Sequence, residues 1–196
     1  MKLNSRRTIL TGLAFLSICA FWQMYDNVIP LILTKTFHMN ETFSGAIMAA
    51  DNVLALFLLP FFGARSDKTN TKIGKRMPFI LFGTGCAIIL MNLLPLIDNS
   101  YAAAPSGFKT ASFVIVLGLL LVAMGTYRSA AVALMPDLTP KPLRSRANAI
   151  INLMGALGGV IYLGVAAVMY PNSKVEGLAH VNYQPLFMVV SAIMFV

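Results

Sequence analysis

Three ionisable side chains stand in stretches otherwise fit for hydrocarbon: Asp26, Asp51 and Arg128. Placing one such charge at a bilayer centre costs about 2.5–3.5 kcal/mol on insertion scales. Each must therefore face the interior of a helix bundle or a wet cavity. The surrounding residues are chemically suggestive. Asp26 and Asp51 are each followed by an asparagine, Asn27 and Asn52. Trp22, Tyr25 and Asp26 follow i, i+3, i+4 and share a helical face. Gln23 and Asn27 form a second polar pair one turn apart, and Tyr127 precedes Arg128. Rings of this kind stack on the apolar face of a pyranose, while carboxylate and guanidinium bind its hydroxyls. Two carboxylates sharing one guanidinium leave one of them underneutralised, which suits a group that takes up and releases a cation, a proton above all. The plainer reading is structural: Arg128 neutralises a carboxylate and holds helices together, and Trp22 and Tyr25 belong to an interfacial belt.

No other chemistry competes. There is no H-E-x-x-H, G-x-S-x-G, Walker A or C-x-x-C pattern. Cys19 and Cys86 lie inside apolar runs, and His38 and His180 fall between runs, where a lone histidine is usually just solvated. Neither catalysis, a metal site nor a cofactor is expected.

The elements that must carry these residues follow from composition. Of 196 residues, 58% are hydrophobic and 11% charged, and mean hydropathy is +0.76. A soluble domain of this size cannot hide so much apolar surface, and a disordered tail or disulfide scaffold is excluded with it. Apolar runs cover residues 9–33, 43–64, 77–97, 111–135, 147–170 and 183–196. Five are long enough for a helix to cross ~30 Å of hydrocarbon, and the sixth is cut short by the end of the chain. They are continuous rather than alternating, so barrel strands are excluded. Residues 1–20 could pass for a signal peptide, but the run continues to residue 33, so a retained helix is expected.

The net charge of +8 reads as membrane orientation rather than nucleic-acid binding. Lys2, Arg6, Arg7, Arg65, Lys68, Lys72, Lys75, Arg76, Lys141, Arg144 and Arg146 would lie on one side of the membrane. Only Lys35, Lys109 and Lys174 would lie on the other. The positive-inside rule then puts the amino terminus in the cytoplasm of a multi-pass cell-membrane protein. In the fifth run, Asn148, Asn152, Gly155 and Gly159 fall on one stripe. The G-x-x-x-G there predicts close helix approach, and Asn152 is a candidate cavity residue.

The segment from Gly63 to Ile80 contains Asp67, Lys68, Gly74, Lys75, Arg76, Pro78 and Phe79. It resembles the loop signature between the second and third helices of the major facilitator superfamily, G-x-x-x-D-[RK]…G-[RK]-[RK]. It departs from the general form by extra residues between Lys68 and Gly74. The longer version is similar to that of glycoside–pentoside–hexuronide cation symporters and sucrose/proton carriers. The stretch from Tyr127 through Asp137 to Asn148 is similar to the fourth-to-fifth-helix region of those carriers.

This resemblance implies an all-α membrane protein. The chain would be the amino-terminal six-helix bundle of a twelve-helix carrier, built as two inverted three-helix repeats, with the carboxyl-terminal half absent. Asp26 and Arg128, each 17 residues into its run, fit that symmetry. The resemblance further implies cation-coupled symport of a sugar by alternating access, a proton being the first candidate cation, with no cofactor and as a monomer. Trp22, Gln23, Tyr25, Asp26, Asn27, Asp51, Asn52, Tyr127, Arg128 and Asn152 would bind substrate, and Asp26 and Asp51 would couple the cation. Gly63, Asp67, Lys68, Gly74, Lys75 and Arg76 would gate the cytoplasmic side, with Asp137, Arg144 and Arg146 as a second ion-pair cluster. Two alternatives stand beside it: an exporter of drugs or lipophilic cations, for which 12 Met supply an adaptable pocket, and a non-transporting scaffold.

Overall fold

The computed structural model describes residues 5–175, 177–178 and 180–195, with no strand among them. Of the charges that set the expected orientation, Lys2 and the side chains of Arg6, Arg7 and Lys174 lie outside this description, as does Val196. Five helices are long and apolar enough to cross a membrane. They are α1 (Ser5–Leu31), α2 (Glu41–Lys68), α3 (Met77–Ala103), α4 (Gly107–Leu138) and α5 (Arg144–Met169). A single turn, α6 (Asn172–Val175), and a 12-residue apolar helix, α7 (Gln184–Phe195), follow. The helices overrun several of the predicted apolar runs. Hydropathy marks the part that hydrocarbon tolerates, whereas the hydrogen-bond ladder continues into polar ends.

Local sequence explains the boundaries. The Asn40 side chain accepts a hydrogen bond from the Thr42 backbone N–H at 3.0 Å, and Glu41 adds a negative charge to the first turn of α2. Pro78 sits in the first turn of α3, where its missing N–H costs nothing. Pro30 cannot continue the ladder near the end of α1. Just beyond it the chain widens into a π-helical turn, Ile32–Thr36, which the hydropathy pattern does not foreshadow.

The helices pair out of chain order. α1 lies along α5; α4 packs against both α3 and α2; α7 rests on α3 and α1. Small residues permit the closest approaches. A Cβ placed on Gly158 would come within 2.1 Å of the Leu16 carbonyl oxygen, so α5 can touch α1 there only as glycine. On α3, a Cβ on Gly83 would meet the Tyr127 backbone nitrogen at 2.8 Å. The core holds Phe21 and Ile29 of α1, Met91 of α3, Leu117 and Met124 of α4, and Phe187 of α7. Interhelical hydrogen bonds add register: Ser129 donates to the Leu59 carbonyl at 2.8 Å, and Asn92 to Ser191 Oγ at 2.6 Å. α2 is the outlier, burying only Ser44 and Ser66.

Candidate functional site

Arg128 of α4 faces α1, and Asp51 of α2 lies within electrostatic reach of Asp26 on α1. The Arg128 guanidinium carbon lies 5.7 Å from the centroid of the Trp22 ring, a cation–π arrangement. Trp22 in turn meets Phe21 and Tyr25 edge-on, both at 5.3 Å. Among the described residues no carboxylate comes within ion-pair distance of Arg128. The guanidinium–carboxylate glue of the plainer reading is therefore not formed, and an aromatic face supports the cation instead. Two polar groups beside it are buried without a hydrogen-bond partner: Trp22 Nε1 and the Tyr25 hydroxyl.

Asp26 and Asn27 are exposed on the open side of α1, whereas Tyr25 next to them is buried. The expected shared face thus divides, with Tyr25 turned inward and Asp26 outward. Asn27 donates to the Gln23 backbone carbonyl at 2.6 Å, and the two side chains themselves come only to 3.5 Å. Asp51 on α2 is half-buried and accepts from the Asn52 backbone N–H at 2.6 Å and from its amide at 2.9 Å. The field of Asp51 reaches Asp26, and both reach Tyr25, so the two carboxylates border one region. Asn152 is exposed on α5. Tyr127 is occupied otherwise: it is buried, and its hydroxyl bonds Ser17 Oγ at 2.8 Å and the Ala14 carbonyl at 3.2 Å, stapling α4 to α1. An apolar cavity of about 800 Å³ opens beside Ser17 and Tyr127, lined by Leu10, Ile80, Leu81 and Met194, and none of the three charges borders it.

A second constellation forms where α2 meets α3. Arg76 is buried and acts as a hub. It contacts Asp67 at 2.5 Å and Asp137 at 3.0 Å, and it donates to Ser66 Oγ and to the Gly63 carbonyl. Gly74 adopts φ +106°, closing a turn with Thr71 that delivers the chain to Arg76. Asp137 thus joins the first cluster rather than forming a second one with Arg144 and Arg146. Arg144 instead donates to the Pro136 and Thr139 carbonyls, covering the end of α4. Lys68, Lys75 and Arg146 are exposed.

Sequence reasoning missed two groups. Ser66 is fully buried under Arg76. Asp98 is fully buried near the end of α3, close to a His180 that is not simply solvated, since its ring bonds Asn99 at 2.9 Å and Thr36 at 3.3 Å. The D-N-S sequence at Asp98 reads as a helix end entering a loop, and only the packed structure reveals its burial.

Residues 11–196 match the profile of the Major Facilitator Superfamily. The chain belongs to that superfamily. Its relatives include the sucrose transport protein SUC3 of Arabidopsis thaliana, 30% identical over 145 residues, which cover 68% of this chain and 24% of that protein. The sucrose transport protein SUT3 of Oryza sativa subsp. japonica is 28% identical over 170 residues, covering 78% of this chain and 33% of that protein. The chain thus spans roughly a quarter to a third of the curated relatives it matches. No solved structure matches it. Membership makes the chain a multi-pass membrane protein of a transporter family, not an enzyme.

Proposed function

We propose that the chain forms the first six-helix half of a cation-coupled sugar symporter, which works by alternating access with a second half outside the chain. One observation carries the sugar reading. Arg128 is held by the Trp22 ring rather than by a carboxylate, next to two unpartnered polar hydrogens and the Asp26–Asn27 edge. A polyhydroxylated ring suits that set: the aromatic cluster supplies a stacking face, the guanidinium and the indole N–H donate, and the carboxylates accept. Asp26 and Asp51 are the cation-coupling groups of this proposal. A superfamily exporter of lipophilic cations fits less well, because Arg128 adds an unpaired positive charge to the same region.

The packing supports two related three-helix units, α1–α3 and α4–α7. α1 lies on α5 as α4 lies on α2, and α3 rests on α4 as α7 rests on α1. The Arg76 hub is the proposed gate on the side facing the cytoplasm, with the amino terminus on that same side of the cell membrane and the carrier acting as a monomer.

The test is uptake of radiolabelled sucrose and glucosides into vesicles bearing the whole carrier. Arg128→Ala is expected to abolish accumulation. Asp26→Asn and Asp51→Asn are expected to weaken the stimulation of uptake by an imposed proton gradient. Unchanged accumulation in all three ends the site assignment.

A further inference from the structure

The end of the bundle away from Arg76 contains a group with no role in the proposed sugar site. Asp98 lies 22 residues beyond Arg76 along α3, about 33 Å at helical rise. It is fully buried, and neither carboxylate oxygen accepts a hydrogen bond. Thr36 is near enough to interact with it but lies outside hydrogen-bonding geometry. Its one ion-pairing neighbour among the described residues is His180, charged only when protonated, with Nε2 3.8 Å from Asp98 Oδ2.

The histidine is well held. Its Nδ1 lies 3.3 Å from Thr36 Oγ1, at the π-helical end of α1, and its Nε2 lies 2.9 Å from Asn99 Oδ1 on α3. Asn99 donates to Asn182 at 2.9 Å; the Asn182 side chain caps the Gln184 N–H at the start of α7, and its carbonyl accepts from the Tyr170 hydroxyl. One polar network thereby joins the ends of α1, α3, α5 and α7.

The remaining groups near Asp98 offer no substitute for His180. Lys109 of α4 donates to the Ser100 and Ala104 carbonyls at 2.7 and 2.8 Å, so its ammonium is engaged at the end of α3. Tyr183 senses the Asp98 charge and packs at a tilt on Tyr170, and both are neutral phenols. Tyr101, further along α3, packs on Phe37, and α7 presents Leu186 and Phe187. A bare carboxylate sealed among such groups is strongly unfavourable. Neutrality requires one proton, either on the carboxyl or on the imidazole facing it.

We propose that Asp98 and His180 form a proton-binding site that tethers the ends of α1, α3 and α7. The pair titrates as a unit. With the proton bound, the buried site is neutral and the network closed. With it lost, an isolated anion remains inside the protein and drives the tether open. This inference does not depend on the sugar assignment.

The sign of the pH effect follows. In the unfolded chain an aspartate releases its proton near pH 3.9. Buried without a hydrogen-bond partner, the folded carboxyl keeps its proton to higher pH, so stability falls as pH rises from there until the site lets go. Below it the contribution is fully present.

The experiment is thermal unfolding of the detergent-solubilised whole carrier across this pH range, for the wild type, Asp98→Asn, His180→Gln and the double variant. The wild-type midpoint is expected to drop as pH rises from about 4 toward neutral, and Asp98→Asn to lose that dependence. His180→Gln is expected to lower the midpoint at neutral pH, and the double variant to recover most of the loss. Parallel pH profiles for the wild type and Asp98→Asn overturn the proposal. If Asp98→Asn does not fold, a His180→Gln profile parallel to the wild type does the same. Replacing choline chloride with sodium chloride at fixed pH distinguishes the other cation: a midpoint rise that needs Asp98 assigns the site to sodium and overturns the proton assignment.

Discussion

Arg128 and Trp22 act as one unit. The ring face gives the guanidinium a preferred position without neutralising it, an interaction of about 0.5–2 kcal/mol. Replacing Trp22 with Leu keeps an apolar side chain but removes that face. The expected result is a rise in the half-saturating sugar concentration of roughly two- to thirtyfold, read from uptake kinetics, with smaller effects on the maximal rate. Tyr127 makes a useful contrast. Its hydroxyl is satisfied by Ser17 and Ala14, so Tyr127→Phe should cost about 1 kcal/mol of stability in thermal unfolding while leaving sugar affinity close to the wild type. A loss of affinity comparable to that of Trp22→Leu would return Tyr127 to the substrate-contacting set. Asp26, Asp51 and Arg128 were legible in the sequence because charge inside an apolar run is costly wherever it points. Which of their neighbours are free to meet a ligand was not legible: Tyr25 and Tyr127 are both buried, but only the Tyr127 hydroxyl is satisfied, by residues of α1 more than a hundred positions away in the chain.

At the scale of elements, close helix contact rests on the absence of side chains. The Leu16 carbonyl occupies the space a Cβ on Gly158 would need, so Gly158→Leu must push α5 away from α1. Overpacking of this kind costs about 1–3 kcal/mol or more, and the expected readout is a lower unfolding midpoint together with loss of uptake. Gly164→Ala on the same helix, where no atom lies within 4 Å of an added Cβ, should be close to neutral and serves as the control. Hydropathy alone located the five long helices, since hydrocarbon thickness imposes their length. The G-x-x-x-G stripe pointed to the right helix, although Gly158, between its two glycines, makes the tighter contact. The π-helical turn at Ile32–Thr36 and the single turn of α6 left no periodic trace. They depend on where Pro30 interrupts the ladder and on how the chain returns to the bundle.

Across the molecule, the Arg76 hub ties the α2–α3 connection to the far end of α4. Asp67 and Asp137 are 63% and 49% exposed, whereas Arg76 is 8% exposed. Losing either carboxylate should therefore cost no more than about 1 kcal/mol. Arg76→Gln also strands buried Ser66 and should cost about 1–3 kcal/mol. Thermal unfolding of Asp67→Asn, Asp137→Asn and Arg76→Gln tests that order, and equal losses for all three would show that the hub is not the arginine. Sequence spacing assigned Asp137 to its chain neighbours Arg144 and Arg146. The packing of α4 on α2 gives it to Arg76, 61 residues away.

The out-of-order pairing of helices bears on how the protein is made. α1 finds its main partner in α5, and α2 finds its partner in α4, while α1 and α2 touch only lightly. From the end of α1 at Leu31 to the end of α5 at Met169 the ribosome must add 138 residues, roughly 7–28 s of translation. The Asp51 segment waits only until α4 is complete at Leu138, whereas the Asp26 segment lacks its main partner for the whole interval, and the insertion machinery must keep each from the acyl chains until its wall arrives.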